Sequence, residues 1–191
     1  MSTPLRLVLF GRQGAGKGTQ CALLSEHYGV PHISTGDMLR EAARHGTEFG
    51  LKAKSYMDRG ELLPDDIMLG VIHERFDEDD VREHGFLLDG FPRTPGQARA
   101  LWHLLDDGAG LDLAINLDVP EEIVLARIAG RGRDDDNPEA ITARLDAYRV
   151  QTLGAIASIP EEKVVTVDGV GAPDEVFARV TAAIDGALAT S

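Results

Sequence analysis

Cysteine occurs once in this 191-residue chain, at Cys21. A single thiol can build neither a disulfide framework nor a thiolate metal cage, and it suits a reducing cytoplasm. The six histidines are scattered without metal-ligand spacing. No apolar run approaches the roughly 20 residues that a membrane helix needs. The short apolar stretch near the start is needed as a strand and has no cleavage site after it, so no secretory leader is expected. Positive charge is also scarce: 19 Lys and Arg face 32 Asp and Glu, a net charge of −13. That balance speaks against a sequence-independent nucleic-acid binder, which needs a basic face to displace counterions. The lysines are only Lys17, Lys52, Lys54 and Lys163. Every other basic residue is arginine, the planar and permanently charged fork suited to phosphate.

What is present is rhythm. Strand-like runs fall at Leu5–Phe10, His32–Ser34, Phe86–Leu88, Leu113–Leu117 and Val164–Val167. Helical patterns separate them, at Gly18–Tyr28, Met38–Arg44, Glu48–Arg59, Asp65–Phe76, Pro95–Leu105, Pro120–Ala129, Pro138–Ile156 and Pro173–Leu188. This alternation predicts a parallel five-stranded sheet with helices on both faces, a three-layer α/β/α sandwich formed as one domain over residues 1–191. There is no internal repeat, low-complexity tract or long linker. Two stretches break the rhythm, the helical pair at 34–63 and the polar turn at 130–136; both are candidates to move over a ligand.

Residues 11–19, Gly-Arg-Gln-Gly-Ala-Gly-Lys-Gly-Thr, directly follow the first strand. Glycines at this place let successive backbone N–H groups curl around an anion, the following helix adds its partial positive charge, and Lys17 supplies a point charge for the β- and γ-phosphates. The position after the lysine, where the general motif has a magnesium-binding Ser or Thr, is Gly18, with Thr19 next. No Asn-Lys-x-Asp guanine-reading motif occurs. The variant points away from GTPases and towards small-molecule kinases.

Two further stretches bear on the acceptor. In Ile33-Ser34-Thr35-Gly36-Asp37-Met38-Leu39-Arg40, Ser34 reads as an N-cap with Asp37 three residues on, and Arg40 falls on the first turn of the helix, within reach of an anion. In Gly85-Phe86-Leu87-Leu88-Asp89-Gly90-Phe91-Pro92-Arg93-Thr94, a strand ends in Asp89, where a carboxylate can orient Mg²⁺-bound water. The turn then presents Arg93 as a bidentate phosphate clamp, and Gln97 offers an amide able to read a base edge.

Together, Gly-Lys-Gly-Thr-Gln at 16–20, Ser-Thr-Gly-Asp-Met-Leu-Arg at 34–40 and Leu-Asp-Gly-Phe-Pro-Arg-Thr at 88–94 resemble the adenylate kinases over nearly the whole chain. The resemblance implies a P-loop nucleoside-triphosphate-hydrolase-like fold. It implies Mg²⁺-dependent transfer of the terminal phosphoryl of ATP to AMP, giving two ADP, by a cytoplasmic monomer with no nucleic-acid or membrane partner. Gly14, Ala15, Gly16, Lys17, Gly18, Thr19, Arg127, Arg131 and Gly171 would serve ATP. Thr35, Arg40, Glu61, Leu62, Leu63, Gly90, Phe91, Pro92, Arg93, Gln97, Arg133 and Arg144 would serve AMP. Lys17, Asp89, Arg93, Arg127, Arg133 and Arg144 would carry the catalysis.

By the same resemblance, residues 34–63 are the AMP-binding segment and 130–136 a short lid, with Asp135 and Asp136 holding its arginines. Longer lids in the family can carry a four-cysteine zinc site, for which Cys21 alone is insufficient; magnesium bound through phosphates and water is the expected metal. The alternatives are a UMP/CMP kinase, against which Thr35 and the Gln97 spacing speak, and a catalytically silent nucleotide-binding regulator. Two positions depart from the pattern. Gln13 stands where the family usually has proline, and Leu153–Ile156 lack the proline and tyrosine often found near the end of that helix.

Overall fold

The structure is a computed structural model that describes residues 4–105, 110–130, 132–133 and 136–189. Its order is β1 (Leu5–Gly11), α1 (Lys17–Tyr28), β2 (His32–Ser34), α2 (Thr35–Arg44), α3 (Glu48–Arg59), α4 (Asp65–Phe76), α5 (Asp79–His84), β3 (Gly85–Asp89), α6 (Pro95–Leu104), β4 (Leu113–Asp118), α7 (Glu121–Ala129), α8 (Pro138–Ala147), a π-helical turn (Tyr148–Thr152), α9 (Leu153–Ile156), β5 (Val164–Asp168) and α10 (Pro173–Leu188). The five strands form one sheet in the order β2-β3-β1-β4-β5, and every pairing is parallel.

Strand β1 shows why the sandwich has three layers. Its side chains alternate between faces. Leu7 and Leu9 join the cluster containing Leu24 of α1, Val124 of α7 and Val180 and Ile184 of α10. Val8 and Phe10 join the opposite cluster, with Leu39 of α2, Ile72 of α4 and Leu101 of α6. A strand buried on both faces must read as a continuous apolar run, as this one does.

The helix starts follow local capping chemistry. Ser34 Oγ accepts from the Asp37 backbone N–H, Thr47 from Gly50, Thr94 from Gln97 and Asn137 from Ala140. The Ser34 cap starts α2 at Thr35, three residues before the expected Met38, which puts Arg40 on the second turn and not the first. The expected single helix at 138–156 is three pieces, because the π turn inserts between α8 and α9. Helix α5 was not expected from the sequence. Among the described residues, no helix is long and apolar enough to cross a membrane.

Candidate active site

Parallel pairing brings the carboxyl ends of all strands to one edge of the sheet, and β1 is flanked there by β3 and β4. Ligands of open α/β sheets bind at such an edge, where the strand order changes direction. A cleft of about 800 Å³ opens there, bounded by the glycine loop, the start of α2, the loop after β3, the end of α3, and the second half of α8 with the π turn that follows it.

On one side the loop is made of backbone. Gly14 has φ +81°, and a Cβ there would lie 2.8 Å from the carbonyl oxygen of Val124; only glycine fits. A Cβ on Gly18, by contrast, would meet nothing within 4 Å, so its bareness leaves room in the cleft. Lys17 Nζ donates to the carbonyls of Gly11 and Arg12 at 2.9 and 3.1 Å, which holds its charge against the loop. Arg127 spans the loop from behind, donating to the carbonyls of Ala15 at 3.0 Å and Gly169 at 3.1 Å. Arg12 is anchored to the Val119 carbonyl at 3.0 Å, and its guanidinium lies 5.3 Å from the centre of the Tyr148 ring.

Asp89 closes β3 opposite Leu9 in register. Burial pushes its carboxyl up, but the nearby His32 imidazole, whose Nε2 lies 3.8 Å from Oδ2, and the charges of Lys17 and Arg93 outweigh burial and hold it below the usual carboxylate range. Cys21, His32 and Asp89 thus come within 4.8 Å of one another, a grouping their sequence spacing does not reveal. Burial, with Asp89 beside it, pushes the Cys21 thiol well up against the opposing pull of Lys17. A protonated thiol is a poor metal ligand.

The other side is made of guanidiniums. Arg93 Nε donates to the Gly90 carbonyl at 2.7 Å, and that oxygen also accepts from Thr35 Oγ1 at 3.0 Å. Gly90 has φ +84°, and a Cβ there would press on both partners, at 2.7 Å from Thr35 Oγ1 and 2.8 Å from Arg93 Nη2. Arg40 bonds Asp37, whose carboxyl is pushed up by burial but drawn lower overall by Arg40, Ser34 and the charge of Arg133. Arg144 donates to Asp136 Oδ1 at 3.3 Å and to the Met57 carbonyl at 2.8 Å. Burial lowers the Arg93 guanidinium's proton affinity; Asp89 opposes that, while Arg144 and Arg40 add to it. Three cations therefore line one cleft near enough for their charges to act on one another, an arrangement that an anion relieves.

Most residues singled out in the sequence line this cleft: Gly14, Gly16, Lys17, Gly18, Thr19, Thr35, Arg40, Glu61, Leu62, Leu63, Asp89, Gly90, Phe91, Pro92, Arg93, Gln97, Arg127, Arg133 and Arg144. Ala15 and Gly171 do not. Ala15 is 2% exposed and turns its carbonyl to Arg127, and Gly171 packs against Glu175 and Arg179. Arg131 and Asp135 lie outside the described residues. Gln97 is more committed than expected: its Oε1 accepts from the Arg93 backbone N–H at 2.8 Å and its Nε2 donates to Asp65 at 2.8 Å. One amide hydrogen is left for a base edge.

Several lining or supporting residues were not foreseen. Asp65 fixes both Gln97 and Thr94. The π turn places Thr152 Oγ1 on the Arg93 carbonyl at 3.3 Å and Tyr148 OH on Asn116 at 3.0 Å. Only Gln13, flagged by its departure from the expected proline, carried a signal; its Nε2 donates to Asp136 at 2.7 Å.

A phosphate loop at the end of a central strand, faced across a cleft by converging guanidiniums, defines a P-loop phosphotransferase. The adenylate kinase family model matches residues 9–163. The chain is 47% identical over 186 residues to an adenylate kinase of Xanthomonas euvesicatoria pv. vesicatoria, with 94% of this chain and 99% of that protein covered. It is 41% identical over a 212-residue alignment to an adenylate kinase of Methanosarcina mazei, covering 94% and 98% respectively. The chain belongs to the adenylate kinase family.

Proposed function

We propose that this cleft carries out ATP + AMP ⇌ 2 ADP, with donor and acceptor phosphates bound on its backbone and guanidinium sides respectively. The backbone N–H groups of the glycine loop, Lys17 and the α1 N-terminus hold the β- and γ-phosphates of the donor, with Arg127 braced behind them. Segment 34–63 seats the acceptor, whose phosphate enters among Arg40, Arg93 and Arg144. Arg133 reaches it from the short lid at 130–136, and Arg131 of that lid serves the donor. The placing of Arg40, Arg93 and Arg144 in one cleft with Lys17 and the glycine loop carries this reading.

Transfer between phosphates asks little covalent chemistry of a protein; alignment and charge neutralisation supply the rate. The arginines spread positive charge over the moving phosphoryl, and closing the lid removes the water that would compete as acceptor. Bound with the nucleotide, Mg²⁺ would offset the charge of the phosphates. Asp89 fits that ion, since it is buried, held ionised and set beside Lys17, and it would act through an intervening water. We read the protein as a cytoplasmic monomer, its single buried thiol suiting a reducing compartment.

A coupled assay of ADP formation over a panel of monophosphates tests the reading. AMP is expected to outrun CMP and UMP with ATP as donor. CMP or UMP outrunning AMP would reassign the acceptor, and ATP binding without ADP formation would leave only a nucleotide-binding regulator.

A further inference from the structure

Gln13 belongs to the donor loop, yet its side chain reaches the other side of the cleft. Its Nε2 donates at 2.7 Å to Asp136 Oδ1, and the same oxygen accepts from Arg144 Nη1 at 3.3 Å. The Asp136 side chain is 5% exposed, so its orientation is governed by these donors and not by water. Arg144 continues the chain of contacts to the Met57 carbonyl at 2.8 Å, and Asn137 donates beside it to the Asp58 carbonyl at 2.9 Å. Donor loop, lid base and the end of α3 are thereby joined in one run of hydrogen bonds.

We propose that Gln13 is a positioning residue for phosphoryl transfer, whose amide clasps Asp136 and through it aims Arg144. The inference rests on the reaction proposed above. An uncharged donor suits the place. It keeps the carboxylate partnered when the Arg144 guanidinium turns to a phosphate, and it adds no cation to compete for that phosphate. Proline at this position has no donor to offer. A space-filling role does not account for the amide, because Gln13 Oε1 is buried without a partner among the described residues. An aliphatic side chain would fill the loop without that cost.

Steady-state kinetics on Gln13→Ala, Gln13→Glu and the exchange Gln13→Glu/Asp136→Asn test the clasp. Gln13→Ala should raise the AMP KM and lower kcat by about fivefold each, the worth of one hydrogen bond, with the ATP KM within about twofold. Gln13→Glu should do worse, since it sets two carboxylates against each other. The exchange restores a donor facing an acceptor, and should bring the AMP KM back to within about twofold of the native value.

The proposal is overturned if Gln13→Ala behaves as the native chain, if both KM values rise together, or if the exchange is as impaired as Gln13→Glu. Thermal melts check that each variant is folded, and Gln13→Ala removes only side-chain atoms from a loop. AMP binding measured by calorimetry should follow the same order without turnover. A native chain that made no ADP would therefore sink the proposed reaction while binding still judged the clasp.

Discussion

The donor and acceptor sides of the cleft are made of different materials. On the proposed donor side the groups available to an anion are, beside Lys17, main-chain N–H groups whose directions are fixed by the passage from β1 to α1, and the tight fit at Gly14 leaves that path no alternative. On the acceptor side they are guanidiniums carried by α2, the loop after β3 and α8, each resting on a partner of its own: Asp37, the Gly90 carbonyl or Asp136. A main-chain site is as rigid as the fold around it. A site of paired side chains must trade those partners for the ligand, so it is set by charge balance and can be tuned residue by residue.

The sharpest test of that division removes one charge from each side. Lys17→Met should lower kcat by about 10²–10³-fold with the AMP KM little changed, the loss expected when a charge aimed at the reacting phosphoryl is removed. Arg93→Ala should lower kcat comparably and also raise the AMP KM, because the acceptor phosphate loses one of its guanidiniums. Initial rates at varied ATP and AMP decide it; equal effects on both KM values in either variant would dissolve the distinction.

A second comparison stays within the loop. Gly14→Ala forces a side chain into φ +81° against the Val124 carbonyl, and should cost about 1–2 kcal/mol of stability or more in urea unfolding. Gly18→Ala places its methyl where nothing lies within 4 Å, so it should leave stability unchanged and weaken ATP binding. Matching losses of stability would show that the loop is not held as described.

The smallest effect is on acid stability. Asp89 and Asp37 have folded-state values below the usual carboxylate range, by the causes given above. Their contribution to stability is complete above the unfolded carboxyl value of about 4 and is lost as pH falls through the lower folded values. The urea midpoint should therefore decline on acidification below about pH 4, and Asp89→Asn should flatten that decline. Asp37 is the more exposed and contributes less.

How much of this was legible in the sequence follows the same division. All five strands and the main helices could be read because their signals are local: apolar runs for buried strands, and Ser34, Thr94-Pro95 and Asn137-Pro138 for helix starts. Helix α5 was missed because six residues with Val81 as their one buried side chain offer no period to read. The π turn was missed because its signal is tertiary; Tyr148 and Thr152 are held by Asn116 and Arg93, far away along the chain. Arg40, Arg93 and Arg144 announced themselves by residue type and motif. Asp65, 32 residues from the Gln97 it fixes, could be recognised only once the chain had folded.

The apolar side chains that helices α2 and α3 bury fully are Leu39 and Ala53. Burying a leucine is worth about 1.5–3 kcal/mol and an alanine less, so swinging this arm away from the sheet forfeits only a few contacts. The larger clusters on either face would remain closed. In mechanical terms the arm is a lightly loaded lever mounted on a stiff frame. Seating a nucleotide would then have little packing to offset in moving it, and the sheet that aligns the reactants would stay undisturbed.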